Sequence, residues 1–155
     1  MFKVNAVSHK NFSEIQKEVL DQTIVKLETV FNSQKFKEQV VNFKCPLTGK
    51  EEFLENLGHS NEQLYDKLMS GATLHVEIDT DLPSRRVIGY TYPKGVTIYT
   101  YKWWFDKYAK KYYAAHLAHE WCHKLNFDHT ARRKKRWKYT VPYMIGNIVE
   151  ELTNE

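Results

Sequence analysis

Glycine, proline and cysteine are all scarce in this sequence, with 6 Gly, 4 Pro and 2 Cys among 155 residues. So few glycines and prolines argue against collagen-like and low-complexity sequence. Cys45 and Cys122 lie in unlike contexts without a C-x-x-C spacing, which argues against a disulfide framework and against a cysteine zinc site. We therefore expect an ordinary globular protein that depends on neither disulfides nor zinc-bound thiolates.

Long apolar runs are also missing. No segment approaches the length of about 20 apolar residues that a transmembrane helix requires. The N-terminal segment "MFKVNAVSHKNF" lacks the apolar run of a signal peptide. These absences predict no membrane association and a cytoplasmic location.

The sequence has neither an internal repeat nor a linker rich in Pro, Gly or Ser. Its length is sufficient for one domain with a sizeable core and too short for two ordinary ones, so residues 1–155 are expected to form a single domain. The hydrophobic content of 42% and the charged content of 27% are typical of a folded globular chain. We expect it to be a monomer.

Apolar residues at spacings of three and four predict helices over residues 11–31, 33–43, 60–71, 105–125 and 142–152. Ser13 with Gln16 forms a candidate capping box at the start of the first helix. Asn11 with Glu14 is the alternative. The second segment, "SQKFKEQVVNF", is also compatible with a strand.

The pattern changes to strict alternation in "TLHVEID", "RVIGYTYP" and "VTIYTYKW". These segments predict three strands, with a hairpin between the last two. Strands placed between helices predict an α+β fold in which helices cover one face of a small mixed sheet.

The segment "AAHLAHEWCHKLNFDHTARRKKRW" contains a recognisable metal-binding pattern. Its residues 119–123 match H-E-x-x-H, in which two histidines one helical turn apart bind zinc and the glutamate acts as base. At about 100° per residue, His119, Glu120 and His123 share one helical face with His116. The opposite face is apolar and consists of Ala114, Leu117, Ala118, Trp121, Cys122 and Leu125. The helix is therefore predicted to bury that face and to present its imidazoles to a cleft.

A catalytic zinc site needs three protein ligands and an open position for water, and His129 is the candidate third ligand. His129 reaches the same metal only if the helix ends soon after His123 and the chain turns back, which requires a residue tolerant of positive φ. Asn126 stands at that position, and asparagine tolerates the left-handed region better than most residue types. An alternative third ligand is a carboxylate of the last predicted helix, Glu150 or Glu151.

The segment "HEWCHKLNFDH" resembles the metzincin motif H-E-x-x-H-x-x-G-x-x-H, with Asn126 at the position of the usual glycine. The resemblance implies that His119, His123 and His129 bind Zn²⁺ and that Glu120 is the general base. The order of helices, small sheet, zinc helix and final helix is also similar to that of short metallopeptidase-like proteins encoded by phages and bacteria. For a phage-encoded protein, the expected location is the host cytoplasm.

Metzincins also carry a methionine turn beneath the metal, between the third histidine and a C-terminal helix. The resemblance assigns this turn to Met144 in "TVPYMIGNIVEEL". In some metzincins a tyrosine two residues after the methionine stabilises the oxyanion, and that position here is Gly146. Tyr143 and Tyr139 are the candidate replacements.

The function implied by the resemblance is zinc-dependent hydrolysis of peptide bonds in a protein or peptide substrate. Zinc activates a water and polarises the carbonyl, while Glu120 accepts the water's proton and passes it to the leaving amine. The substrate is expected to lie extended against an edge of the sheet, and "GVTIYTYKWWF" is a candidate for that edge. The interpretation we favour for this segment is that its aromatic residues pack in the core.

Much of the net charge of +4 comes from a basic run that contains Arg132, Arg133, Lys134, Lys135 and Arg136. Such runs are most often solvated surface, which is the interpretation we favour. The alternative is contact with nucleic acid, with Trp137 stacking on bases. That alternative predicts a DNA-associated protease of the Wss or SprT kind, or a non-catalytic, zinc-stabilised nucleic-acid-binding module.

Overall fold

The computed structural model of the chain describes residues 1–81, 87–129 and 134–155. These residues form four strands and six helices. In chain order the elements are β1 (Val4–Lys10), α1 (Glu14–Phe31), α2 (Gln34–Val41), α3 (Asn61–Leu68), β2 (Ala72–Asp79), β3 (Gly89–Thr91), β4 (Thr97–Tyr101), α4 (Lys102–Lys124), α5 (Lys134–Trp137) and α6 (Val141–Thr153).

The strands form one mixed sheet in the order β1-β2-β4-β3. β2 lies parallel to both β1 and β4, whereas β3 runs antiparallel to β4. The predicted α+β fold with a small mixed sheet and a hairpin at its end is therefore confirmed. The alternative that "GVTIYTYKWWF" supplies a sheet edge is wrong, because β4 is paired on both sides and β3 forms the edge next to it.

The sequence did not indicate β1, which is the strand at the other edge of the sheet. β1 has only half-buried or exposed residues, and its sequence VNAVSHK does not alternate regularly between apolar and polar residues. Its position depends on contacts distant in sequence. The side-chain amide of Asn32 accepts from the Phe2 N–H at 2.7 Å and donates to the Phe2 carbonyl at 3.0 Å. The Glu28 carboxylate accepts from the Val4 N–H at 2.9 Å.

Most of the predicted helices form where the pattern placed them. Ser13 and Gln16 make the reciprocal capping box that opens α1, and "SQKFKEQVVNF" contains a helix, not a strand. α4 begins three residues before the predicted Phe105, directly after the last residue of β4. This direct connection places the metal-motif helix against the sheet without an intervening loop.

The helices cover one face of the sheet. Alternate residues of β2 point toward them and are fully buried, whereas the residues between are exposed or half-buried. α4 packs against both the sheet and α6. A Cβ atom at Gly146 of α6 would lie 3.3 Å from the Ala115 carbonyl oxygen of α4, so the two helices approach closely beside His119. Among the described residues, no helix combines the length and the apolar character needed to cross a bilayer.

The predicted methionine turn is not present at Met144. Met144 lies inside α6, and its N–H donates to the carbonyl of the N-cap residue Thr140 at 2.9 Å. Pro142 stands in the first turn of the helix, where a missing N–H costs nothing. The half-buried Met144 side chain packs against the core, so this methionine has a packing role in a helix.

Replacement of Asn32 by alanine tests how β1 is held. The Asn32→Ala variant loses both hydrogen bonds to Phe2, and we expect its free energy of unfolding to fall by about 1 to 3 kcal/mol, with faster amide exchange in β1. Chemical denaturation and hydrogen–deuterium exchange measure the two effects. Gln34→Ala is the control, because the Gln34 side chain makes only an exposed bond to Glu38. Equal stability of the two variants would contradict this role of Asn32.

Candidate metal centre

The helix α4 lines one wall of a large cleft. The cleft has a volume of about 1300 Å³ and lies between α4, α6 and the β3–β4 hairpin. His119, Glu120 and His123 line it together with His116, as the helical spacing predicted. The apolar residues Ala114, Leu117, Ala118 and Cys122 on the other side of the helix are buried in the core.

The chain reverses immediately after α4 through a left-handed residue. Asn126 has φ 71°, as the position of a glycine in the motif predicts. Its N–H donates to the His123 carbonyl, and the Phe127 N–H donates to the Cys122 carbonyl, each at 3.0 Å. This pair of hydrogen bonds is a Schellman motif, which ends a helix and redirects the chain.

Phe127 anchors the reversed chain. Its side chain is only 1% exposed, and its ring contacts His59 edge-on and lies under the Lys67 ammonium. The Phe127 carbonyl accepts a hydrogen bond from Nδ1 of His123 at 2.9 Å. With the proton of the neutral ring on Nδ1, the Nε2 atom of His123 carries the free lone pair that a metal requires.

α6 supports the other two histidines. The backbone of Pro142 acts on the His119 ring and raises its pKa, against the larger effect of burial. The Tyr143 ring contacts both His119 and His129, with its centroid 4.6 Å from each ring centroid. Trp137 packs edge-on against Tyr143 at 4.1 Å. The first turn of α6 therefore provides an aromatic support for both histidines.

The three predicted ligands converge. One ring nitrogen from each of His119, His123 and His129 lies within 4.8 Å of the others, and the two Nε2 atoms of His119 and His123 are 3.2 Å apart. Two nitrogens bound to one tetrahedral Zn²⁺ lie about 3.3 Å apart, given bonds of about 2.0 to 2.1 Å. Nδ1 of His129 is buried and has no hydrogen-bond partner among the described residues. The site therefore fits a metal ion, and this geometry alone does not select zinc.

The surroundings keep these rings neutral. Burial, followed by repulsion from His123 and the other two neighbouring histidines, lowers the pKa of His119 to about 2. Burial is also the largest cause of the lowered pKa of His123 and of His129. A protonated imidazole cannot bind a metal, so desolvation leaves the nitrogen lone pairs available at neutral pH.

Glu120 is the buried carboxylate of the cleft, with 7% of its surface exposed. Burial raises its pKa to about 7, opposed by the positive charge of Lys124. A divalent cation nearby would lower this pKa, because it favours the ionised carboxylate. Oε1 of Glu120 lies 4.0 Å from Nδ1 of His116.

His116 lies deeper in the cleft than the three converging histidines. It is buried, and its Nε2 atom is 3.0 Å from the Thr100 hydroxyl. Burial lowers the pKa of His116 to about 4, so the ring is neutral at physiological pH. This placement agrees with the prediction that His116 shares the cleft face, and the geometry does not bring it into the ligand group.

The other predicted site residues are divided between the cleft and the rest of the fold. Tyr143 lines the cleft, whereas Tyr139 is not part of its lining, and the Tyr139 carbonyl pairs with the Leu54 N–H. Glu150 lines the cleft, but the ligand group found among residues 1–81, 87–129 and 134–155 contains neither Glu150 nor Glu151.

The basic run falls largely outside the described part of the chain. Arg132, Arg133 and the side chain of Lys134 lie outside the described residues, while Lys135 and Arg136 are exposed. Trp137 is half-buried, and its ring packs edge-on against Tyr143.

Sequence reasoning missed the group that holds His123 in place. The carbonyl of Phe127 carries no side-chain signal that a motif can detect. Lys124 was also missed, although it lies one helical turn after Glu120 and therefore on the cleft face. Its position in the motif gave no indication of its partners, which belong to the β3–β4 hairpin.

Comparisons with protein-family models, with curated proteins and with solved structures found no match to this chain. The resemblance to metzincins therefore depends on the motif that spans His119 to His129. The candidate site has to be interpreted from its own geometry.

The turn at Asn126 can be tested by two substitutions at that position. Asn126→Val places a β-branched residue at positive φ, and we expect it to lower the free energy of unfolding by about 1 to 2 kcal/mol and to weaken zinc binding. Asn126→Gly should retain both properties. Thermal denaturation in chelator and calorimetric zinc titration measure them. Equal behaviour of the valine and glycine variants would contradict the turn's role.

The third ligand can be tested by metal titration. We expect His129→Ala to weaken Zn²⁺ binding by at least about 100-fold, because an open site with two protein ligands holds the ion poorly. The control is His9→Ala, which removes an exposed histidine outside the ligand group. Full zinc binding by His129→Ala, combined with its loss in Glu150→Ala, would instead favour the carboxylate ligand.

Proposed function

We propose that this protein is a zinc-dependent peptidase of metzincin type that hydrolyses peptide bonds in protein or peptide substrates. The observation that carries the proposal is the convergence of three histidine nitrogens beside a buried glutamate in one open cleft. The H-E-x-x-H spacing on a single helix supports it, because that spacing pairs two metal ligands with an adjacent base.

The donor set favours a catalytic metal over a structural one. A structural zinc is usually held by four protein ligands, whereas a catalytic zinc has three and an open position. The group found in the described residues has three members. Residues 82–86 and 130–133 contain no His, Cys, Asp or Glu, so those segments hold no side chain of these types that completes a closed site.

His119, His123 and His129 would hold the ion. Zinc bound there would lower the pKa of a water molecule and polarise the scissile carbonyl. Glu120 would accept a proton from that water and donate it to the leaving amine. The hydrogen bond of the His123 ring to the Phe127 carbonyl and the contact of the His119 ring with Tyr143 would keep the ligand nitrogens oriented throughout.

Tyr143 is the better of the two candidate oxyanion donors. Its ring contacts both His119 and His129, and burial followed by the charge of Glu120 raises the pKa of its phenol. The phenol therefore keeps the O–H that can donate a hydrogen bond to developing negative charge. Gly146, which stands where some metzincins have a tyrosine, offers no donor side chain.

The cleft suits an extended chain better than a compact ligand. It is lined on one side by the length of α4 and on the other by the hairpin, whose outer strand β3 is the sheet edge at the cleft. An edge strand can pair with the main chain of a peptide. In this proposal β3 replaces the segment that the sequence pattern had suggested, since β4 is internal.

Replacement of Glu120 by glutamine tests the proposal. Glu120→Gln keeps the size of the side chain and removes the base, so we expect zinc binding to remain and the rate of peptide hydrolysis to fall by about 10² to 10⁴. Peptide-library digestion with and without chelator detects the activity, and calorimetry measures the zinc binding. Glu150→Gln is the control, because it alters another carboxylate of the same cleft and should retain activity.

The outcomes separate the two classes of function. Loss of hydrolysis only in Glu120→Gln supports the peptidase. A wild-type protein that binds zinc tightly, loses stability on chelation and cleaves no peptide would contradict the peptidase and favour a zinc-stabilised binding module.

A further inference from the structure

The side chain of Lys124 connects the end of α4 to the β3–β4 hairpin. Its ammonium donates to the Thr91 hydroxyl and to the Gly95 carbonyl, the latter at 2.5 Å. The two acceptors lie at the end of β3 and in the turn that follows it. One side chain from the metal-motif helix therefore holds the hairpin at two points.

The hairpin has few other attachments to α4 at this end. Its turn is closed by a bond from the Gly95 N–H to the Tyr92 carbonyl at 3.0 Å, with Lys94 at φ 62°. Tyr92 and Val96 beside the turn are 60% and 64% exposed, so they contribute little packing. The Thr91 hydroxyl itself donates to the Thr97 carbonyl at 3.0 Å, which links the lysine contact to both strands of the hairpin.

The contact between Lys124 and the hairpin lies in the same cleft as the candidate metal centre. Lys124 directly follows the ligand His123, and Thr91, Gly95 and Lys124 all line the same cleft as the histidines. A hairpin held there presents β3, the edge strand of the sheet among the described residues, to the cleft that contains the candidate ligands. A hairpin released from Lys124 would leave that wall of the cleft less well defined, because local order depends on the number of such contacts.

We propose that Lys124 is a positioning residue that holds the β3–β4 hairpin against the end of α4 and thereby sets the wall of the cleft on which a peptide substrate binds. The kinetic part of this inference rests on the proposed peptidase function. The structural part does not, because the attachment of the hairpin can be measured without any substrate.

The structural test uses hydrogen–deuterium exchange on the protein both with and without added Zn²⁺. We expect Lys124→Met to accelerate amide exchange in residues 89–101 at least about tenfold while leaving α6 unchanged. Lys124→Arg should retain protection, because a guanidinium can donate to both acceptors. Lys110→Met is the matched control, since it removes an exposed lysine from the same helix. Unchanged exchange in Lys124→Met would overturn the inference.

The kinetic test uses a fluorescence-quenched peptide that the wild-type protein cleaves. We expect Lys124→Met to raise KM about tenfold, because the variant loosens the wall on which the substrate is placed. Lys124 also lowers the pKa of Glu120, so kcat is compared at a pH well above that pKa, where it should change by less than about twofold. Zinc content must match that of the wild type. A change confined to kcat, or an unchanged KM despite faster hairpin exchange, would show that the cleft does not depend on this attachment.

A double-mutant cycle identifies the contact responsible. Thr91→Val removes one of the two acceptors and also the bond to the Thr97 carbonyl, so only the part of its effect on exchange and KM that passes through Lys124 should disappear in the double variant. Fully additive effects would contradict direct coupling between the two residues. If the wild-type protein cleaves no peptide, the proposed function and the kinetic part fail together, and the exchange data alone decide whether Lys124 holds the hairpin.

Discussion

The left-handed backbone at Asn126 is the constraint on which the candidate metal centre depends. A helix that continued past Lys124 would carry residue 129 away from the candidate ligands His123 and His119, which lie roughly two and three turns earlier. The Schellman hydrogen bonds end α4 at that point, and the burial of the Phe127 ring holds the reversed chain in place. The Phe127 carbonyl also accepts a hydrogen bond from Nδ1 of His123. Chain reversal, anchoring and ligand orientation are thus combined in two consecutive residues.

The helix α4 connects this turn to the rest of the molecule. It leaves β4 without a loop, packs on the sheet and on α6, and ends at the metal ligands. α6 approaches it closely at Gly146, which allows the Tyr143 ring to contact His119 and His129. The burial that stabilises this packing also keeps the imidazoles neutral. A metal-binding arrangement is therefore a consequence of the same contacts that stabilise the core.

Local signals in the sequence predicted most of the elements. The capping residue Ser13, the alternation in β2 and the helical spacing around His119 act over a few neighbouring residues, and the structure has the expected elements there. The errors concern relations between distant segments. β1 was missed because its edge position depends on Asn32 and on parallel pairing with β2, more than 60 residues later in the chain. The possibility that β4 is an edge strand stayed open because alternation does not reveal how many neighbours a strand has.

The sequence by itself determined the chemistry that is available: two histidines and a glutamate one helical turn apart, a third histidine within reach, and an asparagine where the chain must turn. These properties follow from the spacing of neighbouring residues and from their backbone preferences, so they can be recognised without knowledge of the rest of the fold. Only the tertiary structure decided that Met144 lies in a helix, that Tyr143 and not Tyr139 faces the ligands, and that Lys124 holds the hairpin. Each of these depends on how α4, α6 and the sheet pack together, and packing is set by the whole core at once.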